Sequence, residues 1–195
     1  MEVSLTIPTN WEEITIGQFS ELAKLEELEL DGLELKINLI SILSGEHIDT
    51  IEKLSIKDIN HIYSKLSFFL NEDIPNKIKK EISIDGIKYV SDLDIKKITA
   101  GQYIDLKVLL KDKKNIKYNI HDIMSLFYIP KGKKYDEIPR DEVANIFYNK
   151  MPITIAHNTA VFFCLLYHKS ISNIKDYLML QTKQKMREAI DLIKE

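Results

Sequence analysis

The sequence predicts a mainly α-helical protein: two copies of a three-helix repeat, a small β-hairpin or three-stranded sheet, and two extra C-terminal helices. Three observations carry this reading. Residues 14 to 63 realign with residues 98 to 147 at a constant offset of 84 and without a gap. Each copy otherwise reads as helices bounded by cap and stop residues. Between the copies, Glu81 to Val90 reads as two short strands turned at Asp85-Gly86, a pair suited to a tight hairpin.

The repeat is most evident at Ile14-Thr15-Ile16-Gly17-Gln18-Phe19, which recurs as Ile98-Thr99-Ala100-Gly101-Gln102-Tyr103. Glu21 and Leu22 then face Asp105 and Leu106, Leu39 to Leu43 face Ile123 to Phe127, and Ile62-Tyr63 faces Ile146-Phe147. A fixed period of this kind describes architecture, because each unit buries its apolar face against a neighbour. It carries no information about a reaction.

Taken in order, Val3, Leu5 and Ile7 alternate with Glu2, Ser4 and Thr6 ahead of Pro8, which is the period of a half-buried strand. The offset aligns Val3 and Leu5 with Ile87 and Tyr89, so this strand is expected to complete a three-stranded sheet with the hairpin. Helices are expected near 15–29, 34–44 and 55–70, and again near 99–111, 119–128 and 140–150. Gly45 supplies one C-terminal stop, and Pro130 and Gly132 follow the equivalent helix. Lys111 to Asn115 reads as a solvated connection. Past Pro152, an apolar segment from Ile153 to His168 precedes Ser172, which can cap a last amphipathic helix running to about Lys194. The chain accordingly divides into 1–75, 76–152 and 153–195, expected to pack together as one unit.

The physics of helix starts accounts for the repeated Gly-Gln motif. Thr15 with Gln18, and Thr99 with Gln102, have the spacing at which hydroxyl and amide reciprocally satisfy two backbone groups. Ile14 with Phe19, and Ile98 with Tyr103, sit where a hydrophobic staple closes the entry to the helix. Trp11, the only tryptophan, has two readings open: core residue, as its aligned partner Ile95 suggests, or anchor for a partner protein.

A chain of 195 residues that is 45% hydrophobic can bury a sizeable core without staples. The lone Cys164 can form no internal disulfide, which points to a reducing compartment. The longest apolar run, Ala160 to Tyr167, is far short of the roughly 20 residues that span a bilayer. Residues 1 to 15 contain Glu2, Glu12 and Glu13 and no basic residue, so no signal peptide is read there. The protein is expected to stay where it is made.

A net charge of −3 conceals a polarity, because residues 1–75 carry 15 acidic and 5 basic side chains whereas residues 76–195 carry 15 and 22. Either a nucleic-acid surface on the basic part or head-to-tail packing of subunits would use this polarity, and two solvated faces would also produce it. Only Arg140 and Arg187 are arginines. Base and phosphate recognition favours the bidentate fork of arginine, so lysine usage weighs against nucleic acid.

Candidate chemistry fails on geometry. His157, Cys164 and His168 share a helical face, but seven residues of helix rise about 10.5 Å, so His157 and Cys164 cannot share an ion. Cys164, flanked by Phe162, Phe163, Leu165 and Leu166, reads as a packed core residue. Lys131-Gly132-Lys133-Lys134 lacks the first glycine and the hydroxyl of a phosphate loop. The acidic pairs Glu12-Glu13, Asp136-Glu137 and Asp141-Glu142 fall near expected helix starts, where negative charge favours the dipole. Catalytic, cofactor-binding and metal-ligating residues are therefore each expected to be none, and no enzymatic activity or small-molecule substrate is expected.

At Ile7-Pro8 and Trp11 to Phe19 the opening resembles small proteins from the structural modules of tailed bacteriophages of gut Bacteroides, including crAss-like phages. The likeness covers the first 30 residues and is supported by the second Ile-Thr-x-Gly-Gln-Tyr, and it does not extend to the last 45. It implies a non-enzymatic neck or tail component located in the virion, or a tail-assembly chaperone or adaptor acting in the host cytoplasm. The implied partners are other tail or neck proteins, or further molecules of this chain, and not a membrane. The absence of a long disordered arm departs from many virion proteins.

Overall fold

The computed structural model describes residues 5–165, apart from 26, 29, 76, 95, 96 and 112. Helices dominate, joined by a small antiparallel sheet, as the periodicity predicts. Two compact units are distinguished, 1–160 and 161–195. All elements named below lie in the first, and the described part of the second is the helical stretch 161–165. The last helix expected from the sequence, near 172–194, lies outside the described residues, as do Val3 and the first residues of the expected leading strand.

A 3₁₀ turn at Trp11–Glu13 opens the helical part, with the Asn10 side chain accepting from the Glu12 N–H at 2.9 Å. Helix α1 (Ile16–Leu25) follows, then α2 (Gly32–Ser44), α3 (Ile48–Ile51), α4 (Ile56–Lys65) and α5 (Ser67–Asn71). Several starts have a local cause. Asp31 accepts from the Leu33 and Glu34 amides at 2.9 and 2.8 Å, and the Ser55 hydroxyl accepts from the Asp58 amide at 3.1 Å. Helix α2 stops at Gly45, whose φ of 74° suits glycine and whose N–H reaches the Ser41 carbonyl.

Strands β1 (Glu81–Ile84) and β2 (Ile87–Val90) form the expected hairpin, turned by Asp85 at φ 52° and Gly86 at φ 77°. Then come α6 (Ala100–Leu109), a 3₁₀ segment Lys113–Tyr118, α7 (Ile120–Phe127), β3 (Ile129–Pro130), a 3₁₀ turn Tyr135–Glu137 and α8 (Arg140–Lys150). Residues 153–160 form one more helix in this unit. The acidic pairs lie where the dipole favours them, Glu12-Glu13 and Asp136-Glu137 in the 3₁₀ turns and Asp141-Glu142 in the first turn of α8.

The structure corrects three expectations. The third strand of the sheet is β3, which pairs with β2 through Tyr89↔Pro130 and Val90↔Ile129. Residues 5–8 have no regular structure. Chain economy explains the exchange: β3 follows α7 directly, and a proline is tolerated there because β3 is an edge strand. The helix expected over 55–70 is broken at Leu66, which is buried and bonds back to the Tyr63 carbonyl at 3.0 Å. The break turns Phe68 and Phe69 onto Trp11, with ring centroids 5.9 and 5.1 Å away. The first helix ends at Leu25 and not near 29, because the Glu27 and Leu28 amides bond to the Lys24 and Leu25 carbonyls in a tighter i to i+3 pattern.

Several boundaries share the sequence offset: α1 begins at 16 and α6 at 100, and α4 begins at 56 and α8 at 140. Helix α1 packs on α2 as α6 packs on α7, while α2 packs on α4 as α7 packs on α8. The two segments are clasped where the chain returns upon its beginning. The Ile16 N–H bonds to the Met151 carbonyl at 3.0 Å, the Ile153 N–H bonds to the Ile14 carbonyl at 2.8 Å, and Thr15 bridges Pro152. Ile14, Ile16, Leu106, Ile123, Phe147 and Met151 are fully buried in the core.

Candidate functional site

The repeated Gly-Gln helix starts are structural joints. The Thr15 N–H donates to the Gln18 side-chain oxygen at 3.0 Å while the Gln18 N–H donates to the Thr15 hydroxyl at 3.2 Å. Thr99 and Gln102 repeat both bonds at 2.8 and 3.2 Å. Each glutamine has a second use that spacing does not reveal. The Gln18 amide nitrogen donates to the Leu43 carbonyl at 3.1 Å, and that of Gln102 to the Leu126 carbonyl at 2.6 Å. Both carbonyls lie in the last turn of the next long helix, where acceptors lack intrahelical donors. One side chain thus caps a helix start and ties it to the end of a neighbour.

Gly17 leaves room for an aromatic ring that a side chain would block. The Tyr148 ring from α8 lies against Gly17, and its hydroxyl donates to Glu21 at 2.9 Å. Burial, reinforced by the Glu21 carboxylate, pushes the Tyr148 phenol up to about 12. At the second joint the ring beside Gly101 belongs to Tyr135, and its hydroxyl donates to Asp105, which also pairs with Arg140. Neither tyrosine stands out in the sequence, because the two come from positions that do not align with one another.

Trp11 is a core residue, 6% exposed, with its indole N–H donating to the Glu72 carbonyl at 3.0 Å. Its burial favours the core reading over a partner anchor. His157 is half-buried beside Phe19, at 6.2 Å between ring centroids, and burial draws its pKa down. In the second unit, Cys164 is a half-buried free thiol whose pKa burial raises, which leaves it protonated and weakly nucleophilic. His168 lies outside the described residues. Among the described residues no three His, Cys, Asp or Glu side chains are grouped to hold a metal ion, and no helix is long and apolar enough to cross a membrane.

Among the described residues, two concavities bear on function. A polar one of about 370 Å³ is lined by His121, Asp122, Asp141, Ala144, Asn145 and Tyr148. Burial lowers the His121 pKa against the opposing pull of Asp122, so the ring is neutral at pH 7, and it packs edge-on against Tyr148 at 5.0 Å. The lining offers no hydroxyl or thiol nucleophile apart from the protonated phenol. The second is an apolar groove of about 350 Å³ walled by α1, α2 and the residues between them, with Tyr63 of α4 and Phe69 of α5 also lining it. Phe19, Leu22, Leu25, Leu35 and Leu39 form its floor and sides, and Leu28 at its lip is 55% exposed. Lys117, held by Glu27 at 3.3 Å and by the Ala23 carbonyl at 3.2 Å, closes one side.

Helix α6 adds an exposed apolar stripe. Ile104 and Val108, one helical turn apart, are 59% and 66% exposed, with Leu106 fully buried on the opposite side. Their i, i+4 spacing among Asp105, Lys107 and Lys111 is the signal by which a sequence reading could have found them.

No protein-family model, curated protein or solved structure matches this chain. The surfaces and the resemblance of the opening residues are therefore what bear on function. The basic loop Lys131 to Lys134 is an exposed turn around Gly132, φ 85°, with Lys131 near Glu81 at 3.7 Å. Lys77 pairs with Glu12.

Proposed function

We propose that this protein is a non-enzymatic component of the neck or tail region of a tailed phage virion, acting by packing against other proteins of the assembly. The observation that supports this best is the stripe of Ile104 and Val108, apolar side chains held in water by a helix whose other face is core. Scattered single apolar residues on a surface need no explanation, but neighbours along one helical face form a contact surface. The phage setting comes from the resemblance of the opening residues. The test is mass spectrometry of purified particles of the source phage. Peptides of this chain in a fixed ratio to the major capsid protein support the reading, and their absence from particles while the protein is abundant in infected cells refutes it.

The apolar groove favours a second reading, a tail-assembly chaperone or adaptor acting in the host cytoplasm and absent from the virion. Its volume suits a few large side chains of a client helix, which is the usual mode of helix-in-groove recognition. Recovery of one larger tail protein with a tagged chain from infected cells, lost on Leu28→Asp, supports this reading.

A further inference from the structure

We propose that the α6 stripe of one molecule docks into the apolar groove of a second copy of the same chain, giving a head-to-tail assembly. The inference rests on the packing role above and names the partner.

Three observations converge on a second copy. Among the described residues, the groove and the stripe are both open apolar surfaces, one concave and one convex. They carry opposite charge. The groove belongs to the stretch with 15 acidic and 5 basic residues, and exposed Asp31 and Glu34 adjoin its lining residues Leu30 and Leu35. The stripe belongs to the stretch with 15 acidic and 22 basic residues, and exposed Lys107 and Lys111 flank it. An apolar ridge flanked by Lys107 and Lys111 thus meets a groove bordered on one side by Asp31 and Glu34, with Lys117 on another side paired to Glu27, and such charge complementarity sets orientation and partner choice at an interface. Finally, the chain already uses this type of contact internally, since α1 packs on α8 through unlike surfaces of the two sequence repeats. Because ridge and groove are different surfaces, the contact is heterologous, and successive molecules close a ring or extend a filament.

Sedimentation velocity of the full chain at concentrations up to about 100 µM tests the inference, together with Ile104→Asp and Leu28→Asp, each checked by circular dichroism. Both positions are more than half exposed, so the fold should survive either change. The wild-type chain should associate, more weakly at high salt, and each variant alone should associate at least about tenfold more weakly, because an unpaired carboxylate enters an apolar contact. The decisive sample is the mixture. The Ile104→Asp chain keeps an intact groove and the Leu28→Asp chain an intact stripe, so together they should form a dimer that grows no further. A monomeric wild-type chain, or a mixture that forms no heterodimer, overturns the inference. Neither result bears on whether the protein is found in particles, which the mass spectrometry decides separately.

Discussion

The ring of Tyr148 occupies the space that a side chain on Gly17 would need. A Cβ at Gly17 would lie 2.7 Å from Cε1 of that ring and 2.9 Å from the Tyr148 carbonyl oxygen. The ring could turn aside, but the backbone oxygen cannot, and it belongs to the helix that closes the clasp between the two ends of the unit. At Gly101 the nearest such atom, Cε1 of Tyr135, is 3.5 Å away, an ordinary contact.

Gly17→Ala should therefore destabilise the protein by about 1–3 kcal/mol, the usual cost of overpacking. Gly101→Ala should be neutral or stabilising by up to about 1 kcal/mol, since alanine reduces the freedom of the unfolded chain. Urea denaturation of both variants checks this. Equal effects would mean that the close approach at Gly17 does not hold.

The two glutamines should also differ. Gln102 is 8% exposed and its amide is 2.6 Å from the Leu126 carbonyl, whereas Gln18 is half-buried with its longer bond of 3.1 Å. Gln102→Ala removes a cap and leaves a buried carbonyl unpaired, at a cost of about 2–3 kcal/mol. Gln18→Ala should cost about 1 kcal/mol. Gln102→Glu should not rescue, because a carboxylate cannot donate to Leu126. Thermal melts of the three variants decide the point.

Acid should weaken the fold from near neutrality. Burial lowers the pKa of both His121 and His157, so the folded protein favours the neutral rings. The sign follows by linkage: the unfolded chain binds protons first, near pH 6.5, and stability falls as pH drops through the lower folded values. The melting temperature should be flat from pH 8 to about 7 and decline below about 6.5. Replacing His157 by Gln should flatten part of that decline, and an unchanged profile would assign it to other groups.

Trp11 reports on the joint between the chain's opening and α5. Its burial against Phe68 and Phe69 predicts blue-shifted fluorescence in the native state and a red shift on unfolding. Trp11→Ala should cost about 3–5 kcal/mol. Native emission like that of free tryptophan would contradict this packing.

Local chemistry was legible without a structure. The capping pairs at Thr15 and Thr99, the stop at Gly45 and the turn at Asp85-Gly86 depend on a few consecutive residues, so spacing alone located them. The third strand was misplaced for the opposite reason. Alternation marked residues 2–7 as a strand, but β strands pair across any sequence distance, so alternation cannot say which segment joins β2, and residues 129–130 do. Leu66 read as helix interior because nothing local breaks it; the break is imposed by packing Phe68 and Phe69 on Trp11.

The sequence by itself determined that this chain is helical, where most of its helices begin, and that the Gly-Gln motif is a helix start, because these are decided by interactions within four residues. Only the tertiary structure decided what those starts hold: Gln102 on the Leu126 carbonyl, and Tyr148 and Tyr135 on the glycines of two different joints. It also separated Leu106 in the core from Ile104 and Val108 in water, and left a groove between α1 and α2. Those outcomes depend on which surfaces remain after long-range packing is complete, and no window of sequence contains that information.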